Sequence, residues 1–438
     1  MGSQQHDSAW RPILSGALGE RAREAIQAIA DRLHQVSADW VPEGMPKLFR
    51  NGAANNPSLA GGRAGLATFY AYLAQTGARE PNQQRALQLL DDAVDLTART
   101  SLRASLYAGF TGVAWATEYV QRVLLEHSEE DLNAAIDEAL VEYVSHSPWQ
   151  AEYDLVYGLV GFGVYALERL PRATAVQCLE QIIDRFDETA ERGPEGITWR
   201  TIPELLPPHQ RAMAPQGYYN LGVAHGVPAV IALLAEAGAA GVAHEKAQRL
   251  LDGAVPWLLA RRLPDGAPAC FPYWIGPGLE ASASRLAWCY GDPGIAATLL
   301  LAARRVGHAG WEREAVELAR RAAQRRPEDS GVLDGGLCHG AAGVAHLFNR
   351  MYQATGDEQL GDAARVWFEH TLALRRDEQG MAGFAAWMAA PDGEQSWVAD
   401  PHLLTGAAGI GLALLAATSD VEPTWDRVLL VSIPPKPG

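Results

Sequence analysis

The chain has 438 residues, with 36 Lys+Arg against 52 Asp+Glu and a formal net charge of −16. That balance argues against electrostatic binding to nucleic acid or to an anionic membrane surface. Four cysteines in so long a chain make no disulfide framework, and no uncharged apolar run reaches membrane-spanning length, so a cytoplasmic protein with no membrane span is expected.

In chain order, Met1 to Trp10 is polar and lacks the basic-then-apolar order of a secretion signal. Residues 1–44 read as an N-terminal segment leading into the first outer helix region. From 45 to 432 one short unit recurs: a Gly-x-x-Gly step, then small and aliphatic residues at helical spacing. It stands at Gly62–Gly65, Gly109–Gly112, Gly158–Gly161, Gly291–Gly294, Gly340–Gly343 and Gly406–Gly409, with a seventh copy at Gly226 that ends in Ala229. The first glycines are 47, 49, 68, 65, 49 and 66 residues apart, room each time for two helices and their loops. Residues 433–438 read as a flexible tail.

After each glycine step the sequence predicts a buried helix, as in Val113-Ala-Trp-Ala or Ile410-Gly-Leu-Ala-Leu-Leu. Between these lie amphipathic stretches. Trp311, Ala315, Leu318, Ala319 and Ala322 form one apolar stripe, flanked by Glu312, Arg313, Glu317 and Arg320. Apolar helices alternating with amphipathic ones predict an all-α fold, a seven-hairpin (α/α)7 toroid with an inner ring inside an outer one. The glycines let inner helix ends approach where Cβ atoms would collide. An open α-solenoid is the alternative that periodicity leaves standing. Two segments fit neither ring, roughly 193–219 and 263–277, and read as loops or short hairpins at one end.

Aligning the seven copies on their first glycine concentrates the chemistry. Cys289 and Cys338 occupy equivalent positions two places before the glycine, and His225 and His339 occupy the position after that. Cys289, Cys338 and His339 make a three-ligand site suited to one zinc ion, with a fourth position left open. Cys338-His339 alone would more often be packing residues; the equivalent Cys289 changes that balance. Two thiolates cancel the dication, which suits activating an incoming thiol more than polarising a carbonyl. His225, without a neighbouring cysteine, is a candidate acid or base, or else a packed histidine. Asp154 is placed to orient His225, or to cap a helix. Arg285 can hold an anion at the same mouth, or is a surface arginine. Trp288 and Tyr290 flank Cys289 and supply an apolar wall and a hydroxyl.

Trp288-Cys-Tyr-Gly-Asp-Pro-Gly294, Cys338-His-Gly-Ala-Ala-Gly343 and Tyr219-Asn-Leu-Gly-Val-Ala-His-Gly226 resemble the signature blocks of lanthionine synthetase C-like cyclases. The tail, Leu404-Thr-Gly-Ala-Ala-Gly409 with Trp425-Asp-Arg-Val-Leu-Leu430, is similar to the end of stand-alone bacterial members. The resemblance spans roughly residues 45 to 432. It implies the seven-hairpin toroid, zinc on Cys289, Cys338 and His339, and acid–base work by His225 with Asp154, Arg285 and Tyr290 around it. It further implies addition of peptide cysteine thiols to dehydroalanine or dehydrobutyrine, forming lanthionine rings in a dehydrated precursor peptide, as in lantibiotic biosynthesis. A dehydratase and an export transporter are the partners such a cyclase would have.

Three rival readings remain at this point. One keeps the chemistry but adds glutathione or another small thiol. A second is a prenyltransferase-like toroid, which would normally show six hairpins and a carboxylate ligand. The third is a non-catalytic peptide-binding scaffold with structural zinc, for which Cys270 and His346 are the candidate fourth ligands.

Overall fold

The computed structural model describes residues 10–36, 55–77, 79–125, 131–389 and 395–436. Seven helices follow the seven glycine steps: α2 (Arg63–Thr76), α4 (Phe110–Leu124), α6 (Leu159–Arg169), α9 (Val227–Ala239), α11 (Asp292–Val306), α13 (Ala341–Thr355) and α15 (Ala407–Thr418). They are buried nearly all round; in α15 every residue from Ala407 to Ala417 is buried. A helix apolar on all faces is stable only when enclosed.

The enclosing layer consists of α1 (Gly16–His34), α3 (Arg79–Arg99), α5 (Ala134–Val144), α7 (Ala173–Thr189), α10 (His244–Leu259), α12 (Ala309–Ala323) and α14 (Glu358–Ala373). These are amphipathic. The buried residues of α12 are Trp311, Ala315, Leu318, Ala319 and Ala322, the stripe expected from spacing. Its N-cap is His308, whose Nδ1 accepts from Trp311 N at 3.1 Å. One short helix, α8 (Pro208–Met213), lies outside both layers.

Each inner helix packs on the next, and α15 packs back on α2, so the ring closes. A belt of backbone hydrogen bonds runs through the residues two places before six of the seven first glycines. Ala224 N donates to Cys289 O (3.3 Å), Cys289 N to Cys338 O (3.2 Å) and Cys338 N to Leu404 O (2.8 Å). Leu404 N then donates to Ala60 O (3.5 Å) and Ala60 N to Tyr107 O (2.9 Å), joining the last hairpin to the first two. An open solenoid has no such junction. Where the step has a second glycine, which is everywhere except at Ala229, a Cβ there would collide: on Gly343 it would fall 1.9 Å from Leu337 O, and on Gly65 2.9 Å from Leu403 Cβ in the last hairpin. The glycines thus serve two close approaches, to the loop six residues earlier and to the neighbouring repeat.

The two irregular segments meet each other. Strands β1 (Glu191–Gly193) and β2 (Gly196–Thr198) form a hairpin, while β3 (Tyr219–Asn220) pairs antiparallel with the distant β4 (Trp274–Ile275). A second hairpin, β5 (Ala386–Ala389) with β6 (Gln395–Val398), lies between α14 and α15. Among the described residues, no helix is long and apolar enough to cross a membrane.

The termini depart from expectation in one respect. Helix α1 is the outer partner of α15, and Trp10 Nε1 donates to Ala416 O at 2.9 Å. The boundary placed at 44/45 lies outside the described residues. The tail expected to be flexible from 433 is anchored as far as 436. Ile433 is fully buried, its carbonyl accepts from Arg350 Nη1 at 3.1 Å, and Lys436 N donates to Gln353 O at 2.9 Å. Polar residues and prolines near a terminus read as mobile in sequence; a long-range acceptor fixes them here.

Candidate functional site

Asp154, His225, Cys289, Cys338 and His339 all lie in the loops that deliver the chain to inner helices, on α6, α9, α11 and α13. Each of these helices is preceded by its glycine, at positions 158, 226, 291 and 340, with no side-chain cap. Four helix N-termini therefore turn their positive dipole ends to the same mouth, which favours anionic sulfur, while loop carbonyls take the first N–H groups of α6 and α13, as in Leu159 N to Glu152 O and Ala341 N to Asp334 O.

The sulfurs of Cys289 and Cys338 and one imidazole nitrogen of His339 all lie within 4.8 Å of one another. The backbone belt makes this possible, since Cys289 N and Cys338 O are bonded across the repeat junction. Gly291, two residues on, has φ +150°, a conformation side chains rarely adopt, and carries the chain from Tyr290 into α11. The cluster's electrostatics are those of a shared proton. A hydrogen bond from the Cys338 thiol, then His339, holds Cys289 well below the usual thiol pKa. The same bond to Cys289, with burial, pushes Cys338 well above it. Burial alone would lower the pKa of His339, but the Cys289 thiolate and then Asp334 raise it. Two sulfurs and an imidazole, with no carboxylate among them, are a soft donor set suited to zinc. Among the described residues this is the one such cluster.

The proposed fourth ligands are engaged elsewhere. His346 is buried on α13 with Nε2 2.8 Å from Asp426 Oδ2. Cys270 is buried, its thiol pushed up to about 11 chiefly by burial, and it does not join the cluster.

His225 and Asp154 meet at 2.6 Å, Nδ1 to Oδ2. Burial opposes charging of the imidazole, but the Asp154 carboxylate outweighs it and raises the His225 pKa. The side chain of Asp154 does not cap α6, whose N-cap position is Gly158; its other oxygen, Oδ1, accepts from Tyr157 N at 2.7 Å and closes the turn just before the helix. The His225 ring lies 5.9 Å from Tyr157 and 6.2 Å from Tyr290, both within about 35° of parallel. Tyr290 Oη accepts from Asn220 Nδ2 at 2.9 Å, and burial keeps its hydroxyl far above the usual phenol pKa, so it stays protonated.

Arg285 is half-buried rather than a surface residue. Its backbone N donates to Tyr273 Oη at 3.1 Å, its Nε is buried without a partner, and its charge helps lower the Cys289 pKa. Trp288 plays a packing part. Its indole N–H donates to Leu429 O at 2.9 Å, and its ring meets Tyr107 edge-on at 5.9 Å.

Several neighbours were not anticipated. Asn220, Tyr273 and Tyr157 contact Tyr290, Arg285 and His225, and Asp334 Oδ2 lies 3.9 Å from His339 Nε2. A signal for two of them was present. Six places before the first glycine stand Asn56, Asn220, Asp334 and Asp400, and each side chain accepts from the backbone N–H two residues on.

A closed seven-hairpin α/α toroid, with a thiol–imidazole cluster and a His–Asp pair at one mouth, defines a helical toroid with a candidate catalytic metal centre. The chain belongs to the lanthionine synthetase C-like family, whose model matches residues 53–430. It is 25% identical over 298 residues to the nisin biosynthesis protein NisC of Lactococcus lactis subsp. lactis, covering 64% of this chain and 70% of that one. It is also 25% identical over 309 residues to glutathione S-transferase LANCL1 of Danio rerio, covering 68% and 70%. The solved structure of nisin cyclase superposes with a TM-score of 0.70 at 19% identity, covering 94% of this chain and 97% of that one, which shows the shared fold.

Proposed function

We propose that this chain is a zinc-dependent peptide cyclase that adds cysteine thiols of a dehydrated precursor peptide to dehydroalanine or dehydrobutyrine, closing lanthionine and methyllanthionine rings. The observation that carries this reading is the meeting of Cys289, Cys338 and His339 within 4.8 Å, beside a His225–Asp154 pair 2.6 Å apart. Family membership and the relation to NisC support it.

Held by Cys289, Cys338 and His339, a zinc ion would lower the pKa of a substrate thiol while keeping its sulfur electron-rich. The remaining steps fall to the chain's own groups. His225 takes the thiol proton through Nε2, since Nδ1 is committed to Asp154. A carbon–sulfur bond forms at the β-carbon of the dehydro residue, and the C=C electrons move to the acyl oxygen as an enolate. Arg285, half-buried at the mouth, offers that oxygen a charged donor. Protonated His225, stabilised by Asp154, returns the proton to the α-carbon. The sum is an isomerisation, with no atoms gained or lost. Because both reacting groups lie on one peptide, holding them together supplies much of the acceleration.

The test is to incubate the zinc-loaded protein with dehydrated precursor peptide. Ring closure appears as loss of alkylatable thiols at constant mass, and thiols that stay free overturn the reading. The Danio rerio relative, equally similar, favours a second reading in which glutathione is the thiol. There the product gains the mass of one glutathione.

A further inference from the structure

Asp334 stands in the loop before α13, five residues from His339, and its carboxylate is almost wholly buried. It is fully occupied. Oδ1 accepts from Gly336 N at 3.1 Å, closing a tight turn, while Oδ2 accepts from Trp387 N at 2.9 Å and lies 3.9 Å from His339 Nε2. A buried carboxylate costs several kcal/mol unless charge and hydrogen bonds compensate it, and here two backbone donors do so. Beyond those donors, the side chain facing Oδ2 is the His339 ring, 3.9 Å away.

The same division of labour appears twice more at this mouth. Asn220 Oδ1 accepts from Gly222 N at 2.9 Å while its Nδ2 donates to Tyr290 Oη. Asp154 gives one oxygen to Tyr157 N and the other to His225. In each case one side-chain atom fixes the loop and a second reaches a residue of the proposed site. Asp400 holds the matching turn in the last hairpin, but its side-chain partners are His402 Nδ1 and Thr405 Oγ1, neither of them one of the three cluster residues.

We propose that Asp334 is a positioning residue for His339: fixed by Gly336 N and Trp387 N, its carboxylate holds the imidazole in the orientation that presents it to the metal. This rests on the zinc centre proposed above. A carboxylate behind a ligating histidine fixes the ring and increases its basicity, and losing such a partner typically weakens metal binding about 10- to 100-fold. Trp387 N carries the restraint outward, because it belongs to the β5–β6 hairpin.

The experiment compares wild type, Asp334→Asn and Asp400→Asn as full-length, metal-stripped proteins. Zinc affinity is measured by chelator competition, and the cobalt-substituted absorption spectrum reports ligand geometry. Neither readout needs a peptide substrate. D334N is expected to lose about 10- to 100-fold in zinc affinity with an altered cobalt spectrum, and D400N to stay within about twofold of wild type. D334N matching wild type would leave Asp334 a turn residue only, and equal losses in both variants would mark general destabilisation; either overturns the proposal. Should D334N fail to fold, Asp334→Glu keeps the charge one methylene away. An affinity loss with an altered cobalt spectrum supports positioning, and wild-type behaviour in D334E overturns it. A wild type that binds no zinc would instead sink the metal centre itself.

Discussion

The carboxylate of Asp154 is divided between two tasks, with Oδ2 2.6 Å from His225 Nδ1 and Oδ1 2.7 Å from Tyr157 N. The loop entering one inner helix therefore sets the charge of an imidazole that belongs to the next. Cutting only the electrostatic half of this link has a signed consequence.

In Asp154→Asn the side chain keeps an acceptor for Tyr157 N but loses its charge. The His225 pKa, raised chiefly against burial by that charge, then falls. If protonated His225 is the terminal acid, the alkaline limb of the pH–rate profile moves to lower pH, and acidification partly restores activity. The stability contribution of the pair has the matching sign. It is complete below the unfolded histidine value of about 6.5 and is lost as pH rises through the elevated folded value. Wild type and D154N should thus converge in stability at alkaline pH. His225→Asn should cost about 10²–10⁴-fold in kcat with zinc retained. An unshifted profile in D154N would leave Asp154 only its turn contact with Tyr157 N.

The four cysteines should separate into two classes by alkylation. Burial pushes Cys178 up to about 12 and Cys270 to about 11, whereas Cys289 is held low mainly by the hydrogen bond from Cys338. In chelator-stripped protein near neutral pH, mass mapping should find modification at the Cys289–Cys338 pair on the order of 100-fold faster than at the other two, because thiolate is the reacting form. Added zinc should protect the pair. Cys338→Ala should contain no stoichiometric metal by elemental analysis, and retained metal would contradict the ligand set.

How much of this was legible in the sequence depends on the kind of signal. The glycine steps and the α12 stripe are periodic, so spacing alone located the inner and outer helices. Cys289 and Cys338 were legible for the same reason, since repeat register carries equivalent residues to equivalent places. Closure was not, because the Leu404–Ala60 and Ala60–Tyr107 backbone bonds leave no mark on side-chain pattern. Nor was the pairing of Tyr219 and Asn220 with Ile275 and Trp274, which joins segments some 55 residues apart. Asp334 and Asn220 were readable in principle from their shared register. Turn-forming Asn and Asp are so common in loops that a structural role hides a positioning one.

Gly343→Ala tests whether the second glycine of the step is obligatory. The added methyl would lie 1.9 Å from Leu337 O, so α13 or the loop carrying Cys338 must move. A loss of more than about 3 kcal/mol, or failure to fold, is expected from such overpacking. Gly241→Ala is the control. Its φ of +82° is left-handed but nothing lies within 4 Å of the new Cβ, so the expected cost is about 1–2 kcal/mol. Equal unfolding midpoints for the two variants would show that the close approach relaxes freely.

The C-terminal segment is held by a buried latch whose removal should destabilise the ring while sparing the metal cluster. Arg350 on α13 is fully buried and contacts Asp426 through Nε at 2.7 Å and Nη2 at 3.1 Å, with Glu422 Oε1 2.8 Å from Nη1. Burial would raise the Asp426 pKa, but Arg350 and then His346 hold it below the usual carboxylate value. Its contribution is therefore present above an unfolded value of about 3.9 and fades as pH falls through the depressed one. Asp426→Asn leaves the guanidinium with Glu422 as its remaining anion. Breaking one side of a buried pair costs about 3–5 kcal/mol, whereas replacing both sides by apolar residues of similar volume is often nearly neutral. In urea unfolding at neutral pH, D426N should thus be less stable than the Arg350→Met, Asp426→Leu double variant, with zinc content unchanged in both. If D426N falls within about 1 kcal/mol of wild type, the anchoring of residues 422–436 must come from packing around Trp425 and Ile433 instead.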